Sequence, residues 1–271
     1  LYDAAKLLPT GSIITVGGDI VHAKTDMSPE LISIVSEFFD NLANIAPTIV
    51  ITGNHDSNLN NNHRLDALTP IVEANKHPNL FYLRDSGCYR IGDLAISVMS
   101  LLDDPSKYVL ANQVDLEGVN KTIAMYHGTI ANSTVDSGLQ LAHGLAWETF
   151  AGFDIVLLGD IHKRQVFSKT EPLMFYPGSL VQQNFGESFS GHGYAVVDVN
   201  DVNCTFHDIE NQYGFYTVDV DKGVLPPNLP ITSKTAVRVR YKNTTPGQLK
   251  RVLASIRKLY SNGDVVVSNQ D

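Results

Sequence analysis

The 271-residue chain is poor in cysteine: Cys88 and Cys204 stand far apart and form no C-x-x-C arrangement. This excludes a disulfide framework and a thiolate zinc site, and it suits a reducing, intracellular compartment. Long apolar runs are missing too. None approaches the roughly 18 residues of a membrane span, and Leu1-Tyr2-Asp3-Ala4-Ala5-Lys6 lacks the basic-then-apolar layout of a signal peptide. A soluble protein with no membrane partner is expected. There is no low-complexity segment, and 43% hydrophobic with 18% charged residues excludes disorder, collagen and coiled coil. The length suits about two domains.

Acidic residues are absent from positions 231–262, which hold 8 Lys+Arg, whereas residues 1–230 carry 12 Lys+Arg against 27 Asp+Glu and the whole chain sums to −9. Lys250, Arg251, Arg257 and Lys258 therefore form either the solvated face of a helix or a local phosphate-facing patch.

What is abundant is one local pattern, a short apolar run ending in a polar tip. Ser12–Val16 runs into Gly17-Gly18-Asp19, and Pro47–Thr52 runs into Gly53-Asn54-His55-Asp56. Lys121–Tyr126 ends at His127-Gly128, and Asp154–Leu158 ends at Gly159-Asp160-Ile161-His162. Such continuous runs suit strands buried on both faces. Between the first two, Ser28 as N-cap, Pro29, and the stripe Leu31, Val35, Phe38, Phe39 and Leu42 predict a helix, hence a strand–helix–strand unit. Open α/β sheets place ligands outside the C-terminal strand ends, so the four tips are expected to converge on one site.

After Asp160, the alternating segments Tyr194–Val199, Cys204–Phe206 and Phe215–Val220 predict an antiparallel sheet edge or second sheet layer. A Pro-rich linker is expected over Gly223–Pro230, and beyond it a small βαβ unit. Its strands are Ala236–Tyr241 and Asp264–Ser268; its helix opens at Thr245 with Gln248 in capping-box position. The expected domains are 1–222 and 223–271.

The Asp, Asn and His tips offer oxygen and nitrogen donors suited to manganese, iron or magnesium. Two ions bridged by a carboxylate such as Asp19 could activate hydroxide for in-line displacement at phosphorus. His22, His55, His127 and His162 lie in or just after the tips, while His63, His77, His143, His192 and His207 are read as structural.

Gly18-Asp19-Ile20-Val21-His22, Gly53-Asn54-His55-Asp56, His127-Gly128 and Gly159-Asp160-Ile161-His162 resemble the successive motifs of calcineurin-like metallophosphoesterases. The GDxxH form, the Tyr126–Thr129 tip and Tyr176-Pro177-Gly178-Ser179-Leu180 resemble SbcD-like DNA repair nucleases, including phage and giant-virus types. The resemblance implies an α/β fold: a calcineurin-like β-sandwich flanked by helices, with a small C-terminal βαβ capping domain. It implies two divalent ions, manganese first with magnesium or iron as alternatives. Asp19 would bridge both, Asn54 and His127 would bind the second, and His162 the first. His55, oriented by Asp56, would stabilise the transition state or protonate the leaving oxygen, and His22 would contact the scissile phosphate. The capping domain would hold DNA, with Arg238, Arg240, Lys250 and Arg251 as the candidate contacts. An SMC-like ATPase partner is implied, and a homodimer is left open.

Two departures qualify this. Asp160 stands where the family's GHxH places a metal-binding imidazole, and it is carried as a ligand to the second ion. The opening Asp-x-His motif has no counterpart, since Asp3 does not supply it; a missing N-terminal segment and weak binding of the first ion by these 271 residues are therefore expected. The leading function is metal-dependent phosphodiester hydrolysis of DNA in double-strand-break repair, within a bacterial or virus-infected cell or a eukaryotic nucleus. The alternatives are a phosphatase or phosphodiesterase on other phosphoesters, and a decayed DNA-binding scaffold.

Overall fold

The apolar runs that precede the four tips become parallel strands, but they divide between two sheets. A computed structural model describes residues 1–61, 63–229, 234–260 and 264–270. Helix α1 (Tyr2–Ala5) is a single turn that stops before Leu7, whose side chain is exposed. The first sheet is parallel, in the order β1 (Ile14–Val16), β2 (Thr48–Ile51), β3 (Leu80–Leu83). Helix α2 (Pro29–Ala43) connects β1 to β2, and α3 (Thr69–Asn75) precedes β3. Ser28 caps α2 through its hydroxyl, which accepts from the Leu31 N–H. Val35, Phe39 and Ala43 of α2 pack with Ile71 of α3 and Val50 of β2.

The second sheet contains β4 (Gly87–Ile91), β5 (Leu94–Met99), β6 (Lys121–His127), β7 (Ile155–Gly159), β8 (Gln165–Ser168) and β9 (Leu173–Tyr176), in the order β4-β5-β6-β7-β9-β8. Its four inner strands are parallel and its two edges antiparallel. Alternate residues serve two cores. Ile96, Ile123, Met125, Ile155 and Phe175 meet Ile49 and Ile51 of the first sheet, while Ala95, Met99, Ala124, Val156 and Met174 face Phe150 and Phe153. Burial on both faces is what made these strands read as unbroken apolar runs. At about 1.5–3 kcal/mol per buried large aliphatic or aromatic side chain, the inter-sheet layer is a main source of stability. The α/β sandwich flanked by helices is thus as expected.

Strands β10 (Gly193–Asp198) and β11 (Asn203–Asp208) form the expected antiparallel hairpin, which packs Ala195, Val197 and Phe206 onto the inter-sheet core. The next segment differs. Strand β12 (Tyr213–Asp221) pairs in parallel with β13 (Lys234–Lys242), which pairs in parallel with β14 (Val265–Asn269). The small sheet therefore begins at Tyr213, ahead of the boundary expected at 222/223. The alternation over 215–220 arises because one face of this parallel sheet is covered by α4 (Pro246–Leu259), with Val218, Val220, Val237 and Val239 packed against Val252 and Ile256. Nor is the Pro-rich stretch a bare linker: Leu225 and Leu229 pack on that same core. Pro230 lies outside the described residues. Among the described residues no helix is long and apolar enough to cross a membrane.

Candidate metal centre

Each tip leaves the C-terminal end of a parallel strand, two from each sheet, and all four meet at the rim of the sandwich. From β1 the chain turns through Gly18, at φ +92°, into Asp19, at φ +55°. A side chain on Gly18 would strike His127 Nδ1 at 2.6 Å, and one on Gly53 would occupy the place of the Asp19 carboxylate. Glycine at 18 lets the β1 tip meet the β6 tip of the other sheet, and glycine at 53 lets the two tips of the first sheet meet.

The left-handed turn at Asp19 is held by Asp56. Its carboxylate, wholly buried, accepts from the backbone N–H of Asp19 (2.8 Å), Ile20 (2.9 Å), Val21 (3.1 Å) and Gly53 (2.8 Å). Three successive N–H groups curled on one anion form a nest, and Asp56 locks the β1 tip to the β2 tip. Burial pushes its carboxyl above the ordinary range, against the pull of the Val21 and Gly53 N–H groups. This corrects the expected role of Asp56. It does not orient His55, whose Nδ1 donates instead to the His22 carbonyl at 2.6 Å. The His55 ring stacks on that of His22, centroids 5.3 Å apart, and both are exposed at the mouth of the site.

At the centre is His127, nearly fully buried. Its Nδ1 lies 2.5 Å from the Gly17 carbonyl, which can only accept, so Nδ1 carries the proton and Nε2 presents its lone pair inward. Around Nε2 converge Asn54 Oδ1 (3.0 Å), Asp19 Oδ2 (3.4 Å) and Asp160 Oδ1 (3.9 Å). Asp160 reaches in from a left-handed φ of +92°, with its other oxygen accepting from Thr129 Oγ1 at 3.2 Å. The His55 N–H donates to Asp19 Oδ1 at 2.9 Å, and Lys24 Nζ donates to the Asn54 carbonyl at 3.1 Å.

A lone pair facing three oxygens, two of them anionic, lacks a positive partner. A proton partly answers: burial disfavours it on His127, but the hydrogen bond and charge of Asp19 win and hold the imidazole above its ordinary value. Burial likewise raises Asp19, yet His127 and the His55 N–H bring it below the usual carboxylate range. A divalent cation answers better, because three oxygens and an imidazole nitrogen are a hard-to-borderline donor set. Asp19, His127 and Asp160 each offer a ligand atom within 4.8 Å of the others, and Asn54 completes the set. The residues fit a divalent metal.

His162 is not drawn into this cluster. It lies on the Asp160 loop, but its Nδ1 is 2.8 Å from Glu187 Oε1. The basic candidates do not form one patch. Arg238 and Arg240 alternate with the buried Val237 and Val239 and so face away from α4, Arg238 over the Phe185 ring at 4.3 Å and Arg240 in a two-point pair with Asp219 at 2.7 and 2.8 Å. Lys250 and Arg251 are exposed on the outer side of α4. Sequence reasoning missed Lys24, Thr129 and Glu187. Lys24 and Thr129 each lie two residues past a tip histidine, whereas no spacing signals Glu187.

Residues 11–202 match the family described as "Calcineurin-like phosphoesterase superfamily domain". The chain is similar to "Uncharacterized protein R555" of Acanthamoeba polyphaga mimivirus, 38% identical over 97% of the chain and 20% of that protein. It is similar also to "Putative phosphoesterase 244L" of Invertebrate iridescent virus 6, 25% identical over 70% of the chain and 64% of that protein. The chain thus spans about a fifth of the first relative and less than two thirds of the second.

Proposed function

The chain belongs to the calcineurin-like phosphoesterase superfamily, and on that premise we propose that it hydrolyses phosphodiester bonds of DNA with divalent cations held where its two sheets meet. The observation that carries the reading is the convergence of Asn54, Asp19 and Asp160 oxygens on the inward lone pair of His127. Asp19, Asn54, His127 and Asp160 would hold the cation. When bound, it would supply Lewis-acid polarisation of the phosphate and lower the pKa of bound water towards neutrality.

The remaining groups prepare the site. The Gly17 carbonyl fixes the His127 tautomer, and Asp56 holds Asp19 in its turn. The His22 carbonyl holds the His55 Nδ1–H, so Nε2 is the atom turned to the exposed mouth, where the imidazolium form would give its second proton to a leaving oxygen. Stacking on His22 keeps that ring in place.

DNA as substrate is supported by α4. Lys250 and Arg257 lie two helical turns apart, as do Arg251 and Lys258, and all four are exposed. No carboxylate pairs with them among the described residues. Work in strand-break processing beside an SMC-like ATPase is the finest part of the proposal and rests on the SbcD-like motifs. The viral relatives fit an infected-cell setting.

The test is manganese-dependent hydrolysis of linear DNA and of an aryl phosphodiester by the full-length protein, beside Asp19→Asn. DNA degradation that disappears in Asp19→Asn supports the proposal. Cleavage of the small ester alone removes DNA as the substrate, and turnover of neither overturns the hydrolase reading.

A further inference from the structure

The segment from Ser179 to His192, between β9 and β10, is closed at its base. His192 Nε2 lies 2.8 Å from the Ser188 carbonyl and so carries the proton, leaving Nδ1 to accept from the Ser179 hydroxyl at 2.9 Å. The Gly193 N–H donates to the Ser179 carbonyl at 3.1 Å. One side of the closed loop faces the Asp160–His162 tip. Glu187, 7% exposed, accepts from His162 Nδ1 (2.8 Å), Asn184 Nδ2 (2.6 Å) and the Gln183 N–H (2.7 Å). Its other side grips the small sheet. The Gln182 amide accepts from the Phe215 N–H (2.7 Å) and donates to the Phe215 carbonyl (2.8 Å). Phe185 sets its ring edge-to-face on Phe215 at 5.1 Å and carries the Arg238 guanidinium at 4.3 Å.

We propose that Glu187 is a positioning residue that readies His162 as a metal ligand, and that its loop makes the setting of His162 depend on the seating of the small sheet. A carboxylate this buried is costly unless its lone pairs are met, and here an imidazole meets one of them. Nδ1–H held by a carboxylate leaves Nε2 with the lone pair, the arrangement that metal-ligating histidines adopt. His127 is held the same way, by the Gly17 carbonyl. Two histidines on adjacent tips are thus presented with the same tautomer, one by main chain and one by a side chain borrowed from the loop. Beyond its base the loop is held by the Ser188 N–H on Asp136 Oδ1 at 3.2 Å and, on β12, by Gln182 and Phe185 against Phe215 and by Phe189 edge-to-face on Tyr216 at 5.9 Å. A shift of the small sheet moves Glu187 and with it His162. Arg238, expected to touch DNA, serves here as the lid of the Phe185 contact.

The inference rests on the reading of the Asp19–His127–Asp160 cluster as a metal centre. Calorimetric titration of the full-length protein with Mn2+ separates the two. Glu187→Gln is expected to weaken Mn2+ binding by about tenfold or more, as loss of an outer-shell partner does. It should add nothing once His162→Ala is present, a non-additivity that general loosening of the fold would not produce. Phe185→Ala touches neither His162 nor any candidate ligand, yet is expected to lower Mn2+ affinity several-fold, with recovery in Phe185→Tyr. Mn2+ binding by the parent with unchanged affinity in Glu187→Gln overturns the positioning role alone. Should Glu187→Gln fail to fold, Phe185→Ala decides: an unchanged affinity in the folded variant overturns the coupling. No Mn2+ binding by the parent overturns this inference and the metal centre together.

Discussion

At the residue scale, Asp56 shows how a motif can be found while its role is misassigned. Its place beside His55 in sequence suggested orientation of that ring, but the two lie in the turn after β2, where His55 faces the exposed mouth and Asp56 turns inward to four N–H groups of two tips. Replacing the anion with an amide sets an N–H2 group against backbone donors. Asp56→Asn is expected to cost about 2–4 kcal/mol, read as a lower urea midpoint with unchanged m; a midpoint equal to the parent's would refute the latch. Asp66 gives a pH test away from the site. Burial alone would raise it, but hydrogen bonds from Thr69 and Arg84 prevail and hold its carboxyl below 3.8. Ionised Asp66 therefore stabilises the fold above that value, and the contribution is lost as pH falls through the lower folded-state value. In Asp66→Asn the decline of stability below about pH 4 should be shallower than in the parent, measured by urea midpoints across that range. A parallel decline in both proteins would show that Asp66 is not the titrating group.

At the element scale, the four strand ends were legible because apolar residues on both sheet faces leave continuous runs closed by glycine and a polar tip. Which sheet each run joins was not legible, since β1 and β2 carry the same pattern as β6 and β7 and only long-range pairing separates them. β12 was misread for a related reason. Alternation reports one covered face and one open face, and says nothing of whether a neighbour runs parallel. Helix α4 was legible at its start. Gln248 N–H donates to Thr245 Oγ1 at 3.4 Å, while the Gln248 amide oxygen accepts from the Thr245 N–H at 2.9 Å. Thr245→Ala is expected to lose about 1 kcal/mol, and hydrogen exchange should quicken in the first turn of α4 while β6 and β7 keep their protection. Exchange that quickens equally in β6 would mean the small sheet and the sandwich open as one unit.

At the scale of the whole molecule, charge decides how DNA could be held. The chain is acidic overall, so affinity for a polyanion depends on where its basic residues are free, and the sum says little. The 231–262 stretch looked like one basic unit in sequence, but strand alternation sends Arg238 and Arg240 to one face of the small sheet, while α4 carries Lys250, Arg251, Arg257 and Lys258 on the other. On the sheet face Arg240 is committed to Asp219 and Arg238 lies over the Phe185 ring, whereas the four cations of the helix face stand exposed with no carboxylate partner among the described residues. Counterion release then makes the prediction quantitative. Each phosphate neutralised on duplex DNA contributes a slope of about −0.9 to the logarithm of affinity against that of salt concentration. Lys250→Ala with Arg251→Ala should therefore reduce the steepness by about 2, leaving the urea midpoint nearly unchanged because both side chains are exposed. Arg240→Ala with Asp219→Ala removes a pair of opposite charges and should leave the slope as it was. If the reverse is found, with the slope sensitive to the Arg240–Asp219 pair and indifferent to α4, DNA lies against the sheet face beside Phe185. Its binding would then bear directly on the loop that holds His162.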